Sequence, residues 1–388
     1  MNRLDNISLG KIVVIREKLL KAQKDGQKIF RFESGDPSFD VHPNVKTGIQ
    51  KALEANKTHY IPNNGIPELR ETIAKKLNDQ NKIPVKPAHI SITNGAMHAL
   101  YVCYQCIVEE GDEVIVPDPM WTEAVENARL AGAKTIGVEL KPEYNYVYRA
   151  SDIEAAITKK TKVIFLNSPQ NPTGAIIPMD ELKKIADLAV KNNLWLISDE
   201  AYEHILFDGG SHTSIASLIP TYEKVVSVFS FSKSYAMSGL RIGYFASIND
   251  QFNDRAGKLL RCTVNGINSI SQWGAIHAVK DTPQAWFDEM NTEYMKRRDI
   301  FLESLKGQDI LIPYVPKAAF YLWCRVKDGI DVEKLSEALA QAGLGNAPGS
   351  CFGDTPSSLQ SIRIAFSCDT KMVMEGSVEL NKFLKEYK

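Results

Sequence analysis

Short apolar runs rich in β-branched residues recur through the middle of the chain, at 113–116, 162–166, 194–198 and 225–229, and an amphipathic stretch separates each from the next. Runs without polar alternation are the mark of strands buried on both faces, and the stretches between them predict crossover helices. The expectation is βαβ repetition, an α/β fold with a mostly parallel sheet sandwiched by helices. Helices are predicted over 43–54, 66–78, 179–191 and 331–342, where apolar residues fall at three-to-four spacing and Lys or Glu takes the other face. From about residue 282 the pattern changes. A long polar helix over 284–305 leads into Tyr314-Val315-Pro316 and Phe320-Tyr321-Leu322-Trp323, then a helix, then Ile362-Arg363-Ile364-Ala365-Phe366. That mixture predicts a smaller α+β domain. Residues 1–44 hold one helix, at 11–24, and a loop, too little to fold alone. The expected division is therefore a large domain over 45–282 and a small one made of 1–44 with 283–388.

Composition narrows the function classes. In 388 residues, 46 Lys and Arg stand against 47 Asp and Glu, so no global field draws the chain to nucleic acid or to an anionic membrane. Small molecules and copies of itself are the expected partners. From Met1 to Lys11 the charges Arg3, Asp5 and Lys11 interrupt any signal-peptide core, and no run of about 18 apolar residues occurs, so the expected location is the cytoplasm. Six cysteines are thin for a disulfide framework. Cys103 and Cys106 have C-x-x-C spacing but lie in an apolar helical stretch with no second pair at zinc spacing, which reads as packing. The seven histidines show no metal-ligand spacing, and no metal is expected.

Candidate chemistry gathers in three loops that follow predicted strands, where open α/β sheets bind ligands. The first, Asn167-Ser168-Pro169-Gln170-Asn171-Pro172-Thr173-Gly174, is stiffened by two prolines that fix the Asn171 amide; a plain turn is the alternative. The second, Asp199-Glu200-Ala201-Tyr202, sets a carboxylate at a strand end, where burial demands a cationic or donor partner; a helix cap is the alternative. The third is Ser230-Phe231-Ser232-Lys233, with Arg241 eight residues on (241 − 233). A primary amine beside hydroxyls and a guanidinium is a nucleophile next to an anion site, and such a cluster lowers a lysine pKa; an ordinary surface lysine is the alternative. Two other motifs fail on context. Ser230-x-x-Lys233 with Lys46-Thr47-Gly48 has the serine-hydrolase elements in the wrong order, and Gly343-Leu344-Gly345 follows a helix and reads as a helix stop.

The three loops, with Asp199 lying 34 positions before Lys233 (233 − 199), resemble those of the class I/II aminotransferases, fold-type I pyridoxal-phosphate enzymes, in the bacterial aspartate, aromatic and alanine branch. Ser34-Gly35-Asp36-Pro37, His59-Tyr60-Ile61-Pro62, Gly65-Ile66-Pro67-Glu68-Leu69-Arg70, Thr93-Asn94-Gly95-Ala96, Pro119-Met120-Trp121 and Arg363 extend the likeness over nearly the whole chain. The resemblance implies transfer of an amino group from an L-amino acid to a 2-oxo acid, by habit 2-oxoglutarate, in a ping-pong scheme. Lys233 would bind pyridoxal 5′-phosphate as the internal aldimine and then act as the base. Asp199 would face the pyridine nitrogen, Asn171 and Tyr202 the phenolic oxygen, and Trp121 the ring face. Gly95, Ala96 and Met97 at a helix start, with Ser230, Ser232 and Arg241, would hold the phosphate. Tyr60 would reach the neighbouring site of a homodimer. Arg363 would take the substrate carboxylate in a bidentate pair, with the Gly35 backbone close by.

Substrate choice is less clearly written. Met97 stands where aspartate-specific members of the branch carry a lysine, Asn265 offers an amide and Gly10 leaves room, so a neutral or aromatic donor is as consistent as a dicarboxylic one. The same fold serves C–S lyases, which share the early steps and differ in releasing pyruvate and ammonia. A non-catalytic cofactor-sensing module would call for a DNA-binding extension and a basic patch, and neither is found.

Overall fold

A computed structural model describes residues 3–7 and 10–387; Met1, the first residue of the stretch read for a signal core, lies outside the described residues. Seven strands form the larger sheet: β1 (Ile90–Thr93), β2 (Glu113–Asp118), β3 (Lys134–Glu139), β4 (Thr161–Asn167), β5 (Trp195–Asp199), β6 (Val225–Ser230) and β7 (Gly243–Ala246), in the order β1-β7-β6-β5-β4-β2-β3. Neighbours from β3 to β6 pair in parallel, and β7 runs antiparallel to both β6 and β1. The absence of polar alternation has its cause here. Val163 and Phe165 of β4 pack with Leu100, Cys103 and Tyr104 of the helix Gly95–Ile107 on one face, while Ile164 and Leu166 pack with Ile185 of the helix Met179–Lys191 on the other. Apolar side chains are needed on both sides of every central strand. Cys103 and Cys106 are buried in that first helix, as their apolar surroundings predict.

A second, all-antiparallel sheet of β8 (Leu311–Pro313), β9 (Tyr321–Val326), β10 (Ala347–Pro348) and β11 (Ser361–Ala365), in the order β10-β11-β9-β8, builds the smaller unit. Tyr314-Val315-Pro316 is not a strand. The ladder ends with the Tyr314 N–H donating to the Trp323 carbonyl, and Pro316 has no N–H to continue it. The early chain joins this sheet: Phe30 bridges Leu344, and the Ala365 N–H donates to the Phe32 carbonyl at 2.7 Å. The helix expected over 66–78 instead runs Pro67–Lys76 and widens into a π turn, Leu77–Asn81. Lys46-Thr47-Gly48 lies within the helix Pro43–Glu54, and Gly343, at φ 81°, stops the helix Val332–Gln341.

Beneath β5 and β6 lies a buried ionic network. Lys76 Nζ donates to both oxygens of Glu203 at 2.6 Å and sits 4.6 Å above the Phe229 ring; Asn81 Nδ2 donates to Glu203 and to Ser214 Oγ, and Ser214 donates in turn to Glu200. Burial pushes the Glu203 pKa up, but the charges of Lys76 and His204 and the hydrogen bonds outweigh it and hold the carboxyl at about 2. A carboxyl so depressed contributes stability that is complete above its unfolded value of 4.5 and is lost as pH falls toward 2. Lys76→Met strands the Glu203 charge. We expect it to lower the unfolding free energy by about 3–5 kcal/mol in urea titrations at neutral pH; a loss below about 1 kcal/mol would show that the pair is not what holds the helix Pro67–Lys76 to the loop after β5.

Candidate active site

Strands β4, β5 and β6 end side by side, with Asn167 in register with Asp199 and Asp199 with Val228. The three loops singled out in the sequence therefore leave one edge of the sheet together. After β4, the Asn171 N–H donates to Asn167 Oδ1 at 2.9 Å, and the Ser168-Pro169 and Asn171-Pro172 peptides are cis. After β6, the Ser230 hydroxyl accepts from the Ser232 N–H and caps the short helix Phe231–Ser234, which delivers Lys233 into a cavity of about 590 Å³. Small hydroxyl residues suit this turn because their side chains satisfy the free N–H groups at its start.

Lys233 Nζ donates to the Gly35 carbonyl at 2.5 Å and faces the Phe320 ring at 5.8 Å. Burial lowers its pKa to about 8; Asp36 and Asp199 pull upward, while Arg363 and Arg241 add to the depression. Asp199 is 5% exposed, and burial raises its carboxyl to about 7 against the hydrogen bond from the Ala201 N–H, with Glu200 raising it further and Lys233 lowering it. The cavity thus holds an amine and a carboxyl whose proton affinities are drawn toward neutrality from opposite sides.

At one end of the cavity an anion cradle is formed. The helix Gly95–Ile107 begins at Gly95, in the left-handed region at φ 80°, and a Cβ there would lie 2.7 Å from Arg241 Nη2. Arg241 itself is left-handed, at φ 50°, its Nη1 tied to the Ser238 carbonyl at 2.9 Å. Ala96, Ser230, Ser232 and Arg241 all line this end, so helix N–H groups, hydroxyls and a guanidinium converge where a phosphate would fit.

The opposite wall comes from the small sheet. Arg363, on β11 and 3% exposed, lies between the rings of Tyr321 at 4.4 Å and Phe352 at 4.7 Å. Its Nη1 donates to Asn171 Oδ1 at 3.0 Å and its Nη2 to the Glu33 carbonyl at 2.7 Å, while its buried Nε has no partner. The Tyr202 and Tyr321 hydroxyls meet at 2.9 Å. A Cβ on Gly35 would lie 2.1 Å from the Tyr321 hydroxyl, so only glycine passes there.

Trp121, Met97 and Gly35 line the same cavity as the residues above. Tyr60 does not: it is 91% exposed and shares a separate surface hollow with Asn265. Gly10 is not at the wall either, and Ile12 and Arg16 of the following helix Lys11–Lys24 are. Sequence reasoning missed Arg16, Arg31, Glu33, Glu123 and Tyr321, all of which line the cavity. Arg16 reads as the polar face of an amphipathic helix; Glu123 carried the better signal, an acid in the first turn of a helix two residues after Trp121.

The sequence profile of the family described as aminotransferase class I and II matches residues 27–377. A probable aspartate/prephenate aminotransferase of Aquifex aeolicus is 35% identical, over 99% of this chain and 98% of its own. An aromatic-amino-acid aminotransferase of Thermococcus litoralis is 31% identical, over 100% of this chain and 98% of its own. Among solved structures, the aspartate aminotransferase of Thermus thermophilus with maleate superposes with a TM-score of 0.93 at 31% identity, covering 98% of each chain.

A lysine with so depressed a pKa is a free amine two to three pH units earlier than an ordinary one. Acylation of Lys233 in the cofactor-free protein, followed by peptide mapping across pH, is expected to show a midpoint near 8 instead of 10.5. A midpoint at the ordinary value would mean that neither burial nor the two arginines acts on this amine.

Proposed function

The chain belongs to the class I and II aminotransferases, and from this we propose that it transfers the amino group of an L-amino acid to a 2-oxo acid with pyridoxal 5′-phosphate as cofactor, in two half-reactions at one site. The observation that carries the reading is the joint presence, in one cavity, of a low-pKa amine, a buried carboxyl, an aromatic wall and an anion cradle. The residues suit the group. The cradle at Gly95 and Arg241 has the space and donors for a phosphate, and burial penalises Asp199 as an unpaired carboxylate, so a protonated ring nitrogen beside it would supply the missing counter-charge.

When bound, the cofactor supplies an aldehyde that condenses with amines and a protonated ring that takes up the electron pair left when Cα loses its proton. Arg241, Ser230, Ser232 and the N–H groups opening the helix Gly95–Ile107 would fix its phosphate, Trp121 would cover the ring face, and Asp199 would keep the ring nitrogen protonated. Asn171 Nδ2 and Tyr202 Oη would donate toward its phenolic oxygen. Arg363 would turn a guanidinium edge to the substrate carboxylate and so aim the Cα hydrogen at Lys233. Lys233 Nζ would carry that proton, with the Gly35 carbonyl holding the amine in place between transfers. Tyr321 and Phe352, stacked on the guanidinium, would exclude water around it.

The reading extends to a homodimer in which each Tyr60 reaches the other copy's phosphate, supported by the exposure of that aromatic side chain beside Asn265. It includes two domains, 45–282 and 1–44 with 283–388, supported by the two separate sheets, and a cytoplasmic location, where free thiols like the six here persist.

Mixing the holoenzyme with single L-amino acids is expected to convert the cofactor absorbance to that of its aminated form, and 2-oxoglutarate or another 2-oxo acid should restore it. Release of pyruvate and ammonia with no added oxo acid would instead make the enzyme a lyase. Lys233→Ala is expected to lower turnover by at least about 10⁴-fold; substantial residual turnover would remove Lys233 from the proton transfer.

A further inference from the structure

The scheme above leaves part of the cavity wall unused. Beyond Arg363 this wall is built by the helix Lys11–Lys24, which presents Ile12 and Arg16 at i and i+4, by residues 31–36, and by Glu123 in the first turn of the helix Thr122–Leu130. Arg31 Nε donates to Glu33 Oε1 at 2.6 Å, and the second Glu33 oxygen, buried without a hydrogen-bond partner, is turned away to Gly345, where a Cβ would lie 2.2 Å away. Asp36 is exposed and acts on Lys233. Besides that oxygen and Arg363 Nε, two further side chains on this wall carry polar atoms with no hydrogen-bond partner among the described residues. Arg16 is exposed at the cavity wall and enters neither an ion pair nor a hydrogen bond. Glu123 Oε2 is buried and accepts from nothing.

Arg16 and Glu123 line the same cavity with no hydrogen bond or ion pair between them, and this gap in the pairing of the wall offers a donor and an acceptor to whatever enters there. Met97, on the same cavity, adds no charge. The end of a substrate side chain entering the gap must answer both groups. A carboxylate suits Arg16 but sets like charge against Glu123, and an ammonium or guanidinium does the reverse. An apolar end leaves both unsatisfied in a closing site. A carboxamide offers its oxygen to Arg16 and its N–H to Glu123 and brings no charge to desolvate.

Resting on the aminotransfer reading of this cavity, we propose that the substrate side chain favoured here ends in a carboxamide, with Arg16 donating to its oxygen and Glu123 accepting from its nitrogen. A dicarboxylic 2-oxo acid can still enter when a proton accompanies it to Glu123. Burial already raises the pKa of that carboxyl, against the hydrogen bond from its own N–H, the charge of Arg363, the Trp121 side chain and the charge of Arg16.

The test is calorimetric titration of the holoenzyme, at mildly alkaline pH, with three unreactive acids of similar length: glutaramate, glutarate and 4-guanidinobutanoate. All three offer a carboxylate to Arg363 and differ at the other end. Glutaramate is expected to bind at least about tenfold more tightly than either charged acid. Glu123→Gln should bring glutarate level with glutaramate or ahead of it, Arg16→Gln should do the same for 4-guanidinobutanoate, and Arg16→Lys should keep the original order. Reading the order within each variant cancels any general loss of affinity. A wild-type order led by a charged acid, or one that both glutamine substitutions leave unmoved, overturns the proposal. Because the acids do not react, their ranking is independent of turnover: absence of amino exchange with every amino acid would sink the proposed function and leave the ranking to be judged by itself.

Discussion

A lysine amine held between two arginines and two carboxyls is the constraint that the rest of this site serves. Asp199 and Arg363 are buried and Lys233 partly so, while Asp36 and Arg241 act from exposed positions; an unpaired charge left alone in the interior would be costly. Together they divide the cost. Burial, with Arg363 and Arg241, keeps Lys233 from holding its proton tightly, Asp36 and Asp199 keep it from losing that proton altogether, and the Gly35 carbonyl gives the amine a fixed resting place. The sheet makes this feasible. Three parallel strands ending in register bring Asn171, Asp199 and Lys233 to one edge, and the antiparallel β7 returns Arg241 and Gly243 against the start of the helix Gly95–Ile107.

The parts of the fold and site legible in the sequence are those with a short-range cause. Central strands were readable because burial on both faces leaves apolar, β-branched runs with no polar alternation, and the loops after β4, β5 and β6 were readable because prolines, a strand-end Asp and a lysine among hydroxyls are unusual in such places. The direction of β7 was not readable, since pairing sense lies in the connection and leaves no mark on four residues. Nor was the end of the ladder before Tyr314, where a proline three residues from a strand pattern could have belonged to an edge.

Most of the cavity-lining residues that escaped notice meet their partners only across long stretches of chain. Arg16 looks like any solvent-facing arginine of an amphipathic helix until that helix is laid across the mouth of a cavity built by residues far downstream. Glu33 sits in a loop whose charge has meaning only beside Arg31 and Gly345. Tyr321 belongs to an apolar strand pattern, and its hydroxyl matters because Tyr202 meets it and Gly35 must pass beneath it. Residues such as these are found by assembling the molecule, because no local pattern distinguishes them from packing.

The hydrogen bonds of Arg363 have a thermodynamic corollary. This side chain rises from the small sheet yet spends its two terminal nitrogens on Asn171, beyond the end of β4, and on Glu33 in the early chain. Under the proposed reading, an incoming carboxylate would meet a guanidinium with Nε and other N–H groups still free, whose position is fixed by contacts between the small sheet, the loop after β4 and the early chain. Affinity for the acid would then depend on how firmly those contacts hold the guanidinium, and by reciprocity whatever loosens the seam between the sheets would also alter how firmly a ligand is gripped. The small sheet would in that sense be a clasp whose closing force and whose cargo draw on the same guanidinium.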